Sequence, residues 1–91
     1  MKKLPENVSA YKRTKVFSDE TVANALLKTH YTKKGCWGKL AVLKGSLIYH
    51  IEGEEAESLK IHETNFGVIE PQVPHHIEIS GSVEFYVEFY K

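Results

Sequence analysis

Eight residues near the C-terminus, Val83-Glu84-Phe85-Tyr86-Val87-Glu88-Phe89-Tyr90, alternate apolar side chains with charged or amphipathic ones. Successive side chains of a strand point to opposite faces. The run therefore predicts a half-buried strand with Val83, Phe85, Val87 and Phe89 turned to a core. Gly81-Ser82 reads as the turn before it. The preceding run, His75-His76-Ile77-Glu78-Ile79-Ser80, alternates in the same way, with Ile77 and Ile79 inward.

The rest of the chain is punctuated in the same style. Residues 38–43 and 46–51 are two more β-rich runs, and Lys44-Gly45 between them reads as a hairpin or tight corner. Residues 53–56 form a charged turn, 58–62 a further short strand, and 64–67 turn the chain into Val68-Ile69-Glu70. Pro71 and Pro74 bracket a rigid corner, since neither can donate to a ladder. Ser18-Asp19-Glu20 ahead of Ala23, Ala25, Leu26 and Leu27 looks locally like a capped helix. Residues 1–9, with Pro5, Glu6 and Asn7, read as a loose N-terminal arm. Several short strands set off by Gly and Pro predict a single all-β domain over residues 1–91, a sandwich or barrel.

Composition then excludes several function classes. Twelve basic and twelve acidic side chains cancel, so no field draws in nucleic acid or an anionic membrane, and neither partner is expected. No apolar run approaches the roughly 20 residues that cross a bilayer. No hydrophobic stretch follows Met1-Lys2-Lys3-Leu4-Pro5, so a cytoplasmic protein is expected. The single cysteine, Cys36, excludes an internal disulfide framework and a multi-cysteine zinc site. Nucleophilic catalysis lacks support, because there is no serine elbow and no Cys-His pair to build on.

Five histidines raise the question of metal. Strand parity sorts most of them. His75 shares the parity of Ile77 and Ile79 and should point inward. His76, His62 and His50 should point out, and parity does not place His30. An inward imidazole needs a partner, since an unpaired buried polar group costs roughly 1–3 kcal/mol. That partner is either a backbone carbonyl or Tyr hydroxyl, or else a metal or ligand. Cys36 reads as a buried hydrophobe, a soft ligand or a redox thiol. Arg13 reads as an oxyanion binder or a salt-bridge partner. Tyr86 and Tyr90 share the outer parity of the last strand, a face on which two copies are expected to pair as a homodimer.

Gly67, Pro71 and His75 stand in the order of the second cupin motif, although Val73 replaces its usual glycine and the later asparagine is absent. The first cupin motif is degenerate: His30-Tyr31-Thr32 has Thr32 where a second histidine stands, Gly38 lies near the place of the glutamate, and Gly45 matches the closing glycine. Longer segments resemble a more specific family. Tyr11-Lys12-Arg13-Thr14, His30-x-Thr32-Lys33 with Trp37-Gly38-Lys39, Glu70-Pro71-Gln72-Val73-Pro74-His75 and Phe85-Tyr86-Val87-Glu88-Phe89-Tyr90 are similar to the small domain of tellurite-resistance proteins. In some of those proteins it stands ahead of a TehB-type methyltransferase. In the YeaR-like proteins it stands alone.

The resemblance implies a small cupin-like β-barrel in which His30 and His75 come from different strands at one barrel mouth. It also implies that residues 21–30 form a turn into a strand rather than a full helix. With Glu70, the carboxylate nearest the motif, the two histidines would make a triad for a divalent metal ion: zinc, iron, nickel or manganese. Glu70 otherwise reads as a solvated or Lys-paired carboxylate. Thr32, Trp37 and Gln72 would line the ligand pocket; otherwise Thr32 and Gln72 read as ordinary turn residues and Trp37 as a core plug. The implied function is to handle a small molecule or oxyanion in a stress response, with or without catalysis. The alternative is a metal-free ligand-binding or protein-interaction module whose histidines are structural. This chain has no Gly-x-Gly loop between strand and helix, so it is not expected to methylate anything by itself.

Overall fold

A computed structural model describes all residues, 1–91. Seven strands and one helical turn follow in order: β1 Ala10–Arg13, β2 Phe17–Ser18, α1 Asn24–Leu27, β3 Trp37–Ile51, β4 Glu57–His62, β5 Phe66–Ile69, β6 His75–Glu78 and β7 Val83–Tyr90. The fold is all-β, an open sheet with every pairing antiparallel. No helix is long and apolar enough to cross a membrane.

β3 organises the molecule. Its first half lies between β5 and β7, and its second half lies between β4 and β6. The other side of β7 takes β1 and β2. The hairpin expected at Lys44-Gly45 does not form, because residues 38–43 and 46–51 belong to one 15-residue strand. A bulge between Val42 and Lys44 inserts one residue and reverses the alternation. Gly38, Leu40 and Val42 are buried before it, Leu47 and Tyr49 after it. Gly45 has φ 78° and passes so near the Ser82 carbonyl oxygen that a Cβ would collide with it. The glycine marks a bend inside a strand, not a turn between two.

One core joins the two halves: Leu40, Val42, Leu47, Tyr49, Ile61, Ile69, Ile77, Val83, Phe85 and Val87. The alternation expected of the last strand holds, with Phe89 packing half-buried at its end. Full burial of a side chain such as Phe85 contributes about 1.5–3 kcal/mol.

Residues 21–30 form no full capped helix; they turn and lead into a β-bridge at His30, as the family resemblance implies. A single helical turn, α1, lies there and packs against β6. Its N-cap is Ala23, which has no side-chain oxygen to satisfy the first N–H groups. The capping groups act earlier instead: the Ser18 hydroxyl accepts from the Glu20 N–H, and the Thr21 hydroxyl accepts from the Ser18 N–H. The chain then runs to His30, which bridges to β6. In residues 1–9 there is no strand or helix, but the Val68 N–H points at Met1 Sδ, 3.1 Å away, and Ser9 exchanges two backbone hydrogen bonds with Lys91.

Candidate functional site

His30 and His75 stand opposite each other in an isolated antiparallel bridge. Each N–H donates to the other residue's carbonyl at 2.9 Å. Directly opposed residues put their side chains on one face, so the rings lie edge to face with centroids 4.3 Å apart. His75 is buried at 3% exposure and His30 is half-buried.

Both rings are fixed in the same way. Nδ1 of His30 bonds the Lys28 carbonyl at 2.9 Å, and Nδ1 of His75 bonds the Val73 carbonyl at 3.0 Å. A carbonyl only accepts, so Nδ1 carries the proton and the neutral ring has its lone pair on Nε2. Neither Nε2 has a hydrogen-bond partner in the protein, yet no buried polar side-chain atom goes unpaired. Both Nε2 atoms therefore open onto accessible space. For His75, burial pushes the imidazole below its ordinary range, the Val73 carbonyl pulls the other way, and neighbouring His30 adds to the lowering. His75 is accordingly neutral at pH 7.

The space they face is a cavity of about 360 Å³. Twelve of its sixteen lining residues are hydrophobic, among them Leu26, Leu40, Ile77, Phe85, Val87 and Phe89. The other four are Thr14, Thr32 and the two histidines, Tyr31 and Tyr49 add a hydroxyl each, and no Lys, Arg, Asp or Glu lines the cavity. Thr32 stands at the wall with its hydroxyl donating to the Cys36 carbonyl at 2.7 Å.

A second cavity, about 590 Å³, lies on the other side of Tyr49, which lines both. Ile51, Val68 and Val73 give it apolar surface, and Glu54, Glu55, Glu57 and Glu70 surround it with carboxylates. The Tyr49 hydroxyl donates to the Val68 carbonyl at 2.9 Å, and burial pushes this phenol up, well above its ordinary range.

Of the residues the sequence singled out, the structure brings His30, His75 and Thr32 together and sets three apart. Glu70 belongs to the second cavity, where its carboxylate pairs with Lys2 at 2.8 Å. The proline corner after β5 carries it away from the histidines. Trp37 lies on the face of β3 opposite Leu40, because strand alternation puts the two on different sides. It lines neither cavity. The Gln72 side chain is exposed, and its backbone makes the contact: at φ 63°, its N–H donates to the Thr32 carbonyl at 2.9 Å.

Other histidines and charges have partners outside the cavity. His50 and His76, opposed across β3 and β6, stack with centroids 4.6 Å apart on the outer face. His50 bonds the Ser58 hydroxyl and Glu78, and His76 bonds Glu52. Glu52 also accepts from Thr29, next to His30, and these bonds hold its carboxyl below the usual carboxylate range. Arg13 makes two hydrogen bonds to Glu88 and lies over the Tyr86 ring. Buried Cys36 meets the Tyr11 hydroxyl at 3.3 Å. No group of three or more His, Cys, Asp and Glu side chains is placed to hold a metal ion.

The sequence reading missed Tyr49 and Leu40 as cavity walls. Tyr49 was readable as a core residue, since the outward His50 lies between it and Ile51, but nothing in its parity marks it as a wall between two cavities.

The profile of the family described as the TehB-like domain matches residues 12–87. The chain belongs to the TehB-like domain family. Among curated relatives, a probable S-adenosyl-L-methionine-dependent methyltransferase TehB of Haemophilus influenzae is 33% identical over 85 residues, covering 88% of this chain and 30% of the relative. This TehB-like domain thus spans about 30% of the curated relatives it matches. The crystal structure of TehB from Haemophilus influenzae superposes with a TM-score of 0.82 at 29% identity, over 93% of this chain and 32% of that one. A protein of Escherichia coli K12 superposes with a TM-score of 0.86 at 21% identity, over 100% and 97% of the two chains. That second likeness concerns the fold alone.

Proposed function

We propose that this TehB-like domain binds a small molecule in the apolar cavity, using the His30–His75 pair as its polar recognition element. The observation that carries this reading is the pair of Nδ1-anchored rings whose Nε2 atoms are left without a protein partner. Each ring thus keeps one nitrogen free to accept a hydrogen bond from a molecule in the cavity. The volume stands at the small end of the range of about 300–1,000 Å³ usual for ligand pockets, which favours a compact ligand. We read the architecture as cupin-like, with the two halves of β3 and their partner strands enclosing this cavity. The order Gly67, Pro71, His75 supports that assignment.

A second reading places a divalent ion on the two Nε2 atoms. It is favoured by the anchoring of each Nδ1 to a carbonyl, the arrangement that orients metal-ligating histidines. The His30, His75 and Glu70 triad does not fit, since Glu70 lies in the other cavity. An ion here would have to take its remaining ligands from water or the bound molecule. Zinc, iron, nickel and manganese all accept imidazole nitrogen. The family tie favours a stress-related role. Oxyanion handling is the part of it this cavity supports least, because no Lys or Arg lines the cavity. Methyl transfer belongs to relatives more than three times as long.

The test is a titration of the purified protein with toluene, followed by amide shifts, alongside elemental analysis of wild type and His75→Ala. Shifts at Leu40, Ile77, Phe85 and Val87 without bound metal support the first reading. About one divalent ion per chain, lost in the variant, supports the second. Neither result leaves the histidines structural. We also propose pairing of two copies through the Tyr86 and Tyr90 face, which light scattering tests by a dimer mass.

A further inference from the structure

We infer that the ligand of the His30–His75 cavity enters uncharged, as a largely apolar molecule bearing one hydrogen-bond-donating head of the phenol or alcohol class. This inference rests on the small-molecule reading above and goes on to name the ligand's chemistry.

Three observations carry it. First, the cavity wall contains no Lys, Arg, Asp or Glu, so an ion brought into it meets no fixed counter-charge. Taking an isolated charge out of water into such a site is far costlier than taking a neutral polar group. Second, both imidazoles spend their Nδ1 protons on backbone carbonyls and present Nε2. In the neutral ring that atom only accepts, so the complementary ligand group must donate. A ketone, ether or ester offers only lone pairs and would face lone pairs. Third, the buried and half-buried hydroxyls of the wall are already committed as donors, Thr14 to the Lys15 carbonyl, Thr32 to the Cys36 carbonyl and Tyr49 to the Val68 carbonyl, while Tyr31 is two-thirds exposed. The remaining wall, from Leu40 to Phe89, asks for hydrocarbon or aromatic surface.

His75 is the residue that reads the head group. His75 is buried at 3% exposure and its Nε2 has no protein partner, whereas the equally buried Tyr49 hydroxyl on this wall is spent on the Val68 carbonyl. The Val73 carbonyl that takes its Nδ1 proton leaves the lone pair on Nε2.

Four probes of similar size separate the possibilities: p-cresol, toluene, benzoate and benzylammonium, titrated at pH 7.5 into wild-type protein with amide and imidazole nitrogen shifts as readout. The expected result is that p-cresol binds about tenfold more tightly than toluene, the value of one added hydrogen bond in a dry site. The Nε2 resonance of His75 should move with p-cresol and not with toluene, and neither ion should bind measurably. In His75→Leu, which keeps an apolar body of similar bulk, p-cresol should fall to the level of toluene. Equal binding of p-cresol and toluene by wild type overturns the inference and leaves the cavity reading intact. Tighter binding of benzoate or benzylammonium than of p-cresol overturns it as well. Absence of binding by all four overturns the inference and the cavity reading together.

Discussion

The two cavities share one wall, the ring of Tyr49, and differ in almost everything else. On one side the polar groups are few and incompletely bonded, with no carboxylate, ammonium or guanidinium among them. On the other they are carboxylates, and two of them, Glu57 and Glu70, pair with the Met1 amino group and Lys2. Glu54 and Glu55 make no ion pair, so the larger space keeps unpaired negative charge, while the smaller, more apolar one keeps two unspent imidazole nitrogens. The comparison teaches that the two spaces, divided by one ring, call for ligands of different chemistry.

Removing the wall should break the contrast most severely. Tyr49→Ala would merge the two spaces and delete the hydroxyl that satisfies the Val68 carbonyl. A loss of about 3–5 kcal/mol in denaturant unfolding is expected, as for other large buried aromatics. Tyr49→Phe keeps the wall and isolates the hydroxyl. The Val68 carbonyl would then stand unpaired, with a loss of about 1–3 kcal/mol and unchanged toluene binding.

Acid should reach the two sides differently. Burial lowers the His75 pKa in the folded state, so the unfolded chain binds that proton more readily. Stability from this group is therefore complete above the ordinary imidazole value of about 6.5 and declines as pH falls below it. The slope has a ceiling of about 1.4 kcal/mol per pH unit for one proton. Urea unfolding from pH 7.5 to 5 should show it, with a shallower slope in His75→Gln. A slope unchanged in that variant would assign the effect to other groups. The smallest effect belongs to the charged rim. The Lys2–Glu70 pair is screened by water, so Glu70→Gln should leave both the unfolding midpoint and p-cresol binding where they were.

The strands that carry the site were largely legible in the sequence, because their alternation is set by burial on one face. Val83, Phe85 and Val87 are inward as their parity required, and so is His75. The assignment failed where the period itself changed. One inserted residue after Val42 moves the buried set from even to odd positions, and a glycine at such a point looks like a turn. The pairing of His30 with His75 came from family likeness and not from periodicity, since residues 21–30 have no regular period to read. Glu70 was assigned by nearness in sequence. The direction of a side chain after a proline corner is decided by tertiary packing, which put it with Lys2. Trp37 is a simpler case: its parity against Leu40, available in the sequence, puts it on the other face of β3 from the cavity.

The continuity of β3 also bears on how the molecule forms and comes apart. Four other strands bond to this single segment, and the last of them, β7, begins more than thirty residues after it ends. Ladders between such distant segments close late, so refolding belongs in the millisecond-to-second range of β topologies. Neither half has a strand system of its own to fall back on. Amide protons along β3 should therefore exchange only through global opening, with one shared protection from Leu40 to Ile51.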